Sequence, residues 1–386
     1  MRLPRRSPAL ILVAGLVLAV GGACSTSGRN VSGSDDTTTT VAGGAGDGSG
    51  DTDPTTTTAP ERGPLGSGQP VTLAFAGDAS FENLGSAVES NPGGLLSAIS
   101  PVLSAADVAM VNVETAVGSG GTPVAKTFTF QVSESALDSL GAAGVDVVTL
   151  ANNHGMDHGV DGLTDTLRIK AEGSMPMIGI GADEAEAYAP FLTEVDGQRI
   201  GIIAANDVFD SNLVTSWTAG PGKPGIASAE EAHQERLAAE VRATREQVDT
   251  LAVYLHYGTE KETCPNARQK ELVELLIGAG ADIVVGSHAH RLQGMGYHGD
   301  QFVAYGLSNF IFKAPSAAGT KSGVVVVTAT GRRIDGYEWK PAQIQNLVPV
   351  PLSGAAAEAG VAEMDALQSC AGLSPTPTGP GVPAGG

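Results

Sequence analysis

Positive charge is scarce in this sequence. Its 22 lysines and arginines face 42 aspartates and glutamates, for a formal net charge of −20. That balance leaves no basic face of the kind nucleic acids require, so nucleic-acid binding is excluded. It suits a solvated exterior, and it means that an anionic ligand is repelled at long range and must be drawn in by local cations. Long apolar runs are missing as well. The run at residues 9–20 falls short of the ~20 residues a membrane helix needs. Cysteine occurs only three times, as Cys24, Cys264 and Cys370. No internal repeat is present, which excludes stacked-repeat architectures.

What the amino terminus does contain is ordered like an export signal: Arg2, Arg5 and Arg6, then the short apolar run, then Gly21-Gly22-Ala23-Cys24. The last four residues resemble the lipobox of bacterial lipoproteins, with Gly21 where that motif has Leu or Val. Residues 1–23 are therefore expected to be a lipoprotein-type signal peptide and Cys24 a lipidation site. The expected location is extracytoplasmic, on a membrane lipid anchor, with plain secretion as the alternative. Residues 24–69 are rich in Thr, Gly, Ser and Asp; they cannot bury enough apolar surface to offset their ordering entropy and read as a disordered stalk. Residues 371–386 read the same way, as the tail of a C-terminal extension spanning 353–386. In an exported chain the remaining pair, Cys264 and Cys370, invites a disulfide.

Between stalk and extension, residues 70–352 alternate short apolar strands with helical patterns. Strands are expected over 71–76, 108–113, 145–150, 191–195, 199–204, 251–255, 283–285, 301–305 and 323–329. Helices are expected over 95–106, 133–143, 163–172, 230–248 and 268–279. Asp196-Gly197 is a hairpin signal. This alternation predicts a layered α/β domain.

The chemistry-bearing residues fall in one kind of place. Asp78, Glu114, Asn153, His154, His256, His288 and His290 each follow an apolar strand. In parallel-rich sheets, ligands bind beyond the carboxyl ends of the strands. Carboxylate and amide oxygens combined with imidazole nitrogens form a ligand set for a divalent metal (Mn, Zn, Fe or Mg), as one or two ions. Lys126 and Arg291 are the cations placed to face an anionic substrate. Asp157 and Gly159 read as shaping the start of the next helix, and His158, His233 and His298 carry no useful spacing.

Six motifs occur in order: Gly77-Asp78; Asn112-Val113-Glu114; Ala151-Asn152-Asn153-His154 with Asp157 and Gly159; His256-Tyr257-Gly258-Thr259-Glu260; Gly286-Ser287-His288-Ala289-His290; and Tyr305-Gly306-Leu307-Ser308-Asn309-Phe310. Over roughly residues 70–315 the chain resembles the poly-γ-glutamate capsule synthesis protein CapA family, grouped with the calcineurin-like metallophosphoesterases. The resemblance implies a four-layer α/β/β/α sandwich with a metal site at one sheet edge. Carried over position by position, it makes Asp78, Glu114, Asn153, His256, His288 and His290 the metal ligands and His154 the acid that protonates a leaving group. Glu260 and Asn309 would support the ligands. One position departs from the superfamily pattern: Ser80 stands where Asp-x-His would place a histidine, with Glu82 or Glu260 as compensating groups.

Two function classes follow. The first is a membrane-tethered metal-dependent hydrolase of cell-surface polymer (capsule, poly-γ-glutamate) synthesis or export, working on phosphoesters or on γ-glutamyl amides. The second is a non-catalytic component that binds the anionic polymer or assembles with a membrane synthase or export complex.

Overall fold

The computed structural model describes residues 63–173 and 175–379. The expected signal peptide, Cys24 and the stalk as far as residue 62 lie outside the described residues, as do residues 380–386; residues 63–69, expected as stalk, are instead held on the domain, where Gln198 Nε2 donates to Leu65 O and Gln69 O at 3.0 and 2.8 Å. Two sheets face each other. The larger runs in the order Val348–Pro351, Arg333–Gln345, Lys321–Thr330, Val71–Ala79, Val108–Val113, Val147–Thr149 and Met177–Ile178, with Asn309–Ile311 paired beside the end of Val71–Ala79. The smaller runs Met295–His298, Gln301–Ala304, Ile283–His288, Thr250–Tyr257, Gln198–Asn206 and Phe191–Val195. The central neighbours of both sheets are parallel.

Strand periodicity explains the layering. Along Thr250–Tyr257, Ala252 and Tyr254 join the apolar cluster shared with the larger sheet. Leu251, Val253, Leu255 and Tyr257 point the other way, into a second cluster with Leu237 and Val241 of helix Gln234–Arg245 and Leu272, Val273 and Leu276 of helix Ala267–Ala279. His256 therefore falls on the face between the sheets, with Ala252 and Tyr254. The Tyr254 hydroxyl ties the two sheets by donating to the Ala76 carbonyl at 2.9 Å. On the far side of the larger sheet, Leu137 and Leu140 of helix Ser135–Ala143, and Leu163 and Ile169 of helix Gly159–Glu172, complete the layers. The fold is an α/β/β/α sandwich.

Local chemistry sets the element ends. Helix Ala267–Ala279 starts in a reciprocal capping box between Asn266 and Gln269 and stops at Gly280, whose φ of 115° is left-handed. The hairpin at Asp196-Gly197 uses two positive φ values, 50° and 78°, as a type I′ turn requires. Of the helix expected over 95–106 only Ser100–Leu103 is regular helix, and the separate turn Pro92–Leu95 ends where the expected helix begins. Pro101 lacks the amide hydrogen a helix interior needs and sits instead in the first turn of Ser100–Leu103, which therefore starts afresh there. The helix expected over 230–248 is shorter, Gln234–Arg245.

The tail also departs from expectation. Residues 371–379 have defined structure. Ser374 exchanges backbone hydrogen bonds with Tyr297 at 2.7 and 2.9 Å, and Thr378 N–H donates to Gly299 O at 2.9 Å. The physical reason is an open sheet edge, Met295–His298, which the tail covers. Cys370, disulfide-bonded to Cys264 with a Cα separation of 5.6 Å, holds the tail there. No helix among the described residues is long and apolar enough to cross a membrane.

Gly77 shows how tightly the sheet end is built. A Cβ placed on it would lie 1.9 Å from the Ser308 carbonyl oxygen, a backbone atom that also accepts from Asp78 N–H. Gly77→Ala is expected to push the 307–309 segment away and to destabilise the fold by about 1–3 kcal/mol. Urea unfolding at neutral pH checks this; an unchanged midpoint would refute the close approach.

Candidate metal centre

Five chain segments deliver polar side chains to the carboxyl ends of the parallel strands. Asp78 comes from Val71–Ala79, just past a bulge that interrupts its pairing with Val108–Val113. Glu114 follows Val108–Val113, with its N–H donated to Ala79 O. Asn152, Asn153 and His154 follow Val147–Thr149. His256 lies near the end of Thr250–Tyr257, and His288 ends Ile283–His288. His290 lies two residues further on.

These groups converge. The ligand atoms of Glu114, His256 and His288 all lie within 4.8 Å of one another, and so do those of Asp78, Glu114 and His290. Glu114 belongs to both groups. Its Oε1 is 3.4 Å from His256 Nε2 and 3.9 Å from His290 Nε2. Asp78 Oδ2 is 3.4 Å from His290 Nδ1 and accepts from the His288 N–H at 3.0 Å. Asn153 Oδ1 is 2.8 Å from His256 Nε2. His288 Nδ1 is 3.2 Å from that same nitrogen. Asn309 Oδ1 contacts His290 Nδ1 at 2.7 Å, while its Nδ2 donates to Gly319 O.

The electrostatics are those of a crowded, desolvated set. Burial, reinforced by the charge of Asp78, pushes the Glu114 carboxyl up to about 8. Burial would raise Asp78 too, but the His290 hydrogen bond and the charges of His256 and His290 outweigh it and hold Asp78 well below the usual carboxylate range. Burial lowers His256 to about 3 and takes His288 well below its ordinary value. Burial works against charge on His290, yet Glu114 and then Asp78 raise it to about 9. Both Glu114 oxygens are buried without a hydrogen-bond partner, a costly state that a bound cation relieves. The donor set of carboxylate, amide and imidazole groups fits a divalent ion of the Mn, Zn or Fe kind, and the shared carboxylate fits a pair of them.

Supporting residues emerge that the sequence reading passed over. Asn112, buried in the strand before Glu114, sends its Nδ2 toward Asp78 Oδ1, His256 Nδ1 and Ser287 Oγ at 2.8, 3.1 and 3.3 Å. Asn152 donates to Asn112 Oδ1 and accepts from the His154 N–H, both at 2.9 Å. Asp157 is fully buried, and its Oδ2 lies 2.5 Å from His154 Nδ1. Its expected role in shaping a helix start is corrected: it orients the His154 ring. Spacing held the signal, since His154 and Asp157 are three apart in a turn. Phe130 packs on His154 and Phe312 on His290, with ring centroids 4.6 and 4.7 Å apart.

Two expectations, for Lys126 and Glu260, need correction. Lys126 is not a free substrate cation. Its ammonium binds the Asn153 carbonyl oxygen and Asp157 Oδ1, lies 3.5 Å from Asp210, and sits over the Trp217 ring. The carboxylate of Asp157, desolvated beside His154, draws it inward. Arg291 donates to its neighbour's carbonyl at His290 and to Ser316 Oγ, bracing the loop around the site. Glu260 is exposed and pairs with Lys261, so it takes no part in the centre. Ser80 is buried and Glu82 pairs with Lys313.

A family model for the bacterial capsule synthesis protein PGA_cap matches residues 72–314. The chain belongs to the PGA_cap family. Over 228 residues this PGA_cap chain is 27% identical to the PGA biosynthesis protein CapA of Bacillus subtilis, covering 59% of this chain and 58% of that one. Over 234 residues it is 26% identical to the capsule biosynthesis protein CapA of Bacillus anthracis, covering 60% and 55%. It thus spans under two thirds of either relative. A solved structure of a hypothetical protein from Thermus thermophilus covers 71% of this chain and 100% of its own, at 14% identity and a TM-score of 0.46.

The Glu114 assignment makes a pH-dependent prediction for metal-free protein. The folded carboxyl holds its proton up to about 8, above its ordinary 4.5. The native state therefore binds more protons than the unfolded chain between those values, and stability falls as pH rises through that window. In chelator, Glu114→Gln should gain in melting temperature relative to wild type as pH goes from about 5 to about 8. With excess Mn²⁺ the order should reverse, because an ion held at 100 times its Kd stabilises wild type by about 2.7 kcal/mol. Parallel melts of both proteins decide the matter; the same difference at every pH, with or without metal, would refute it.

Proposed function

We propose that this PGA_cap chain is an exported, membrane-tethered, metal-dependent hydrolase of cell-surface polymer synthesis or export, acting on a polymer of the poly-γ-glutamate kind. The observation that carries this reading is Glu114, desolvated, unbonded at both oxygens and common to two ligand groups. The family match and the names of the CapA relatives support the polymer. The Cys264–Cys370 disulfide supports an oxidising, extracytoplasmic setting. The amino-terminal basic and apolar run ending at Cys24 supports the lipid anchor.

A divalent ion at this centre supplies a polarising positive charge, an acidified water molecule, and the cationic attraction that an acidic chain otherwise lacks. Asp78, Glu114, Asn153, His256, His288 and His290 would hold it. Asn112 fixes Asp78 and His256 relative to each other through one side-chain amide. His154 lies beside the ligands, with the Phe130 ring tilted against it. With its Nδ1–H donated to Asp157, the ring presents Nε2 outward, the nitrogen that would take up a proton and then hand it to a leaving oxygen or nitrogen. Phe130 and Phe312 place apolar walls beside His154 and His290 and limit water around the reacting group.

One observation favours the rival reading, a polymer-binding or assembly component without turnover. Buried Ser80 offers no imidazole where the superfamily pattern has one, and Glu82 and Glu260 are turned to surface lysines. The two readings separate in one experiment. Metal content is measured on the purified chain, followed by assay on a generic phosphodiester and on γ-glutamyl peptides. His154→Ala is expected to lose about 10²–10⁴-fold in kcat while keeping its metal. Undiminished turnover in that variant refutes the acid role; bound metal with no turnover in wild type on either substrate class favours the binding component.

A further inference from the structure

The bond between Cys264 and Cys370 joins two segments that flank the His288–His290 turn. On one flank runs the loop 258–266. Its Lys261 N–H donates at 2.7 Å to Ala289 O, the carbonyl between the two histidines. Next to it, Glu262 O accepts from Gln293 Nε2 at 3.1 Å, and Gln293 Oε1 accepts from Gln269 Nε2 at 2.8 Å. Gln269 belongs to the capped start of helix Ala267–Ala279. On the other flank, the helical turn Gln368–Ala371 lies against the chain leaving the histidines. A Cβ on Gly294 would meet Leu367 O at 2.6 Å and Ala371 Cβ at 2.7 Å.

The turn between these flanks needs restraint. His288 has a φ of 93° and His290 a φ of 49°. Non-glycine residues in such conformations cost about 1–3 kcal/mol each and persist only where their surroundings over-determine them. Asp78 and Asn309 restrain the two histidines from within the centre. Lys261 N–H restrains them from outside it. Lys261 is itself left-handed, with a φ of 69°, in a loop with few buried side chains. A covalent bond near the end of that loop adds to the Gln293 and Asn266 contacts that hold it. Cys370 lies beyond residues 72–314, the stretch matched by the family model, so this restraint is additional to the shared motifs.

We propose that the Cys264–Cys370 disulfide is a positioning element of the metal centre: it fixes the loop 258–266, keeps Lys261 N–H on Ala289, and so holds His288 and His290 in their ligating conformation. The inference rests on the metal-centre reading above. Mn²⁺ is titrated calorimetrically into the metal-free full chain, kept soluble in detergent, well below its melting temperature. The proteins compared are wild type, the double variant Cys264→Ser/Cys370→Ser, and wild type reduced with a phosphine, alkylated and desalted. In the reduction the phosphorus is oxidised, taking oxygen from water to form the phosphine oxide, and each sulfur gains a proton. Circular dichroism establishes that each sample is folded. The expected result is a Kd for Mn²⁺ about 10–100-fold weaker in both unbridged proteins, the usual cost of losing support around metal ligands. If the bridge only stabilised the fold, its removal would lower the melting temperature and leave this Kd unchanged. Equal affinity in bridged and unbridged protein overturns the proposal and leaves the metal centre standing. No Mn²⁺ binding by bridged wild type overturns both.

Discussion

Two carboxylates, Asp78 and Glu114, are buried in the same small space between two sheets, and much of the site is arranged around that fact. Neither is solvated, and the charge of Asp78 adds to the cost of ionising Glu114. Asp78 is satisfied by the His288 amide, the Asn112 amide group and His290. Glu114 lies near His256 and His290 but is left without a hydrogen bond at either oxygen. Such an arrangement is unfavourable in the isolated polypeptide and makes sense as a receptor for positive charge. Three imidazoles around the same point, two of them kept neutral by burial, add nitrogen donors without adding repulsion toward a cation.

The sandwich exists to hold those groups still. Parallel strands from both sheets end at one edge, so ligands more than two hundred residues apart in sequence become neighbours. Tyr254 locks one sheet to the other through Ala76, two residues before Asp78. Gly77 lets the Ser308 carbonyl pass within contact of the backbone, which brings Asn309 alongside Asp78. A second polar shell of Asn112, Asn152, Asp157 and Asn309 then sets ring and amide orientations. The departures from ideal backbone geometry at His288 and His290 belong to the same site, where hydrogen bonds with Asp78, Asn309 and the Lys261 amide hold the turn.

Much of this was legible in the residues themselves. Strand ends carrying Asp78, Glu114, Asn153, His256, His288 and His290 could be read because apolar strands are short and sharply bounded, and because each polar group follows one directly. Less legible were the partners of charged side chains. Lys126 looked like a substrate cation because sequence shows a lysine between polar and aromatic residues, not the buried Asp157 that captures it. Asp157 looked like a helix-start residue because it stands two residues before the helix at Gly159, and its three-residue spacing from His154 was not read as a side-chain pair. The carboxyl-terminal segment looked unstructured because its composition is poor in apolar residues. What orders it is an unpaired strand edge and a disulfide, neither of which is a property of the segment.

The sequence by itself determined the α/β class, the order of the elements, the acidic character and the ligand types, since these follow from periodicity, composition and the identity of side chains. Tertiary structure decided which carboxylate is shared between two ligand groups, that Lys126 is already neutralised, and which asparagines act as braces. Those outcomes depend on distances between strands remote in sequence and on how far each group is removed from water, quantities that arise only when the two sheets close on each other.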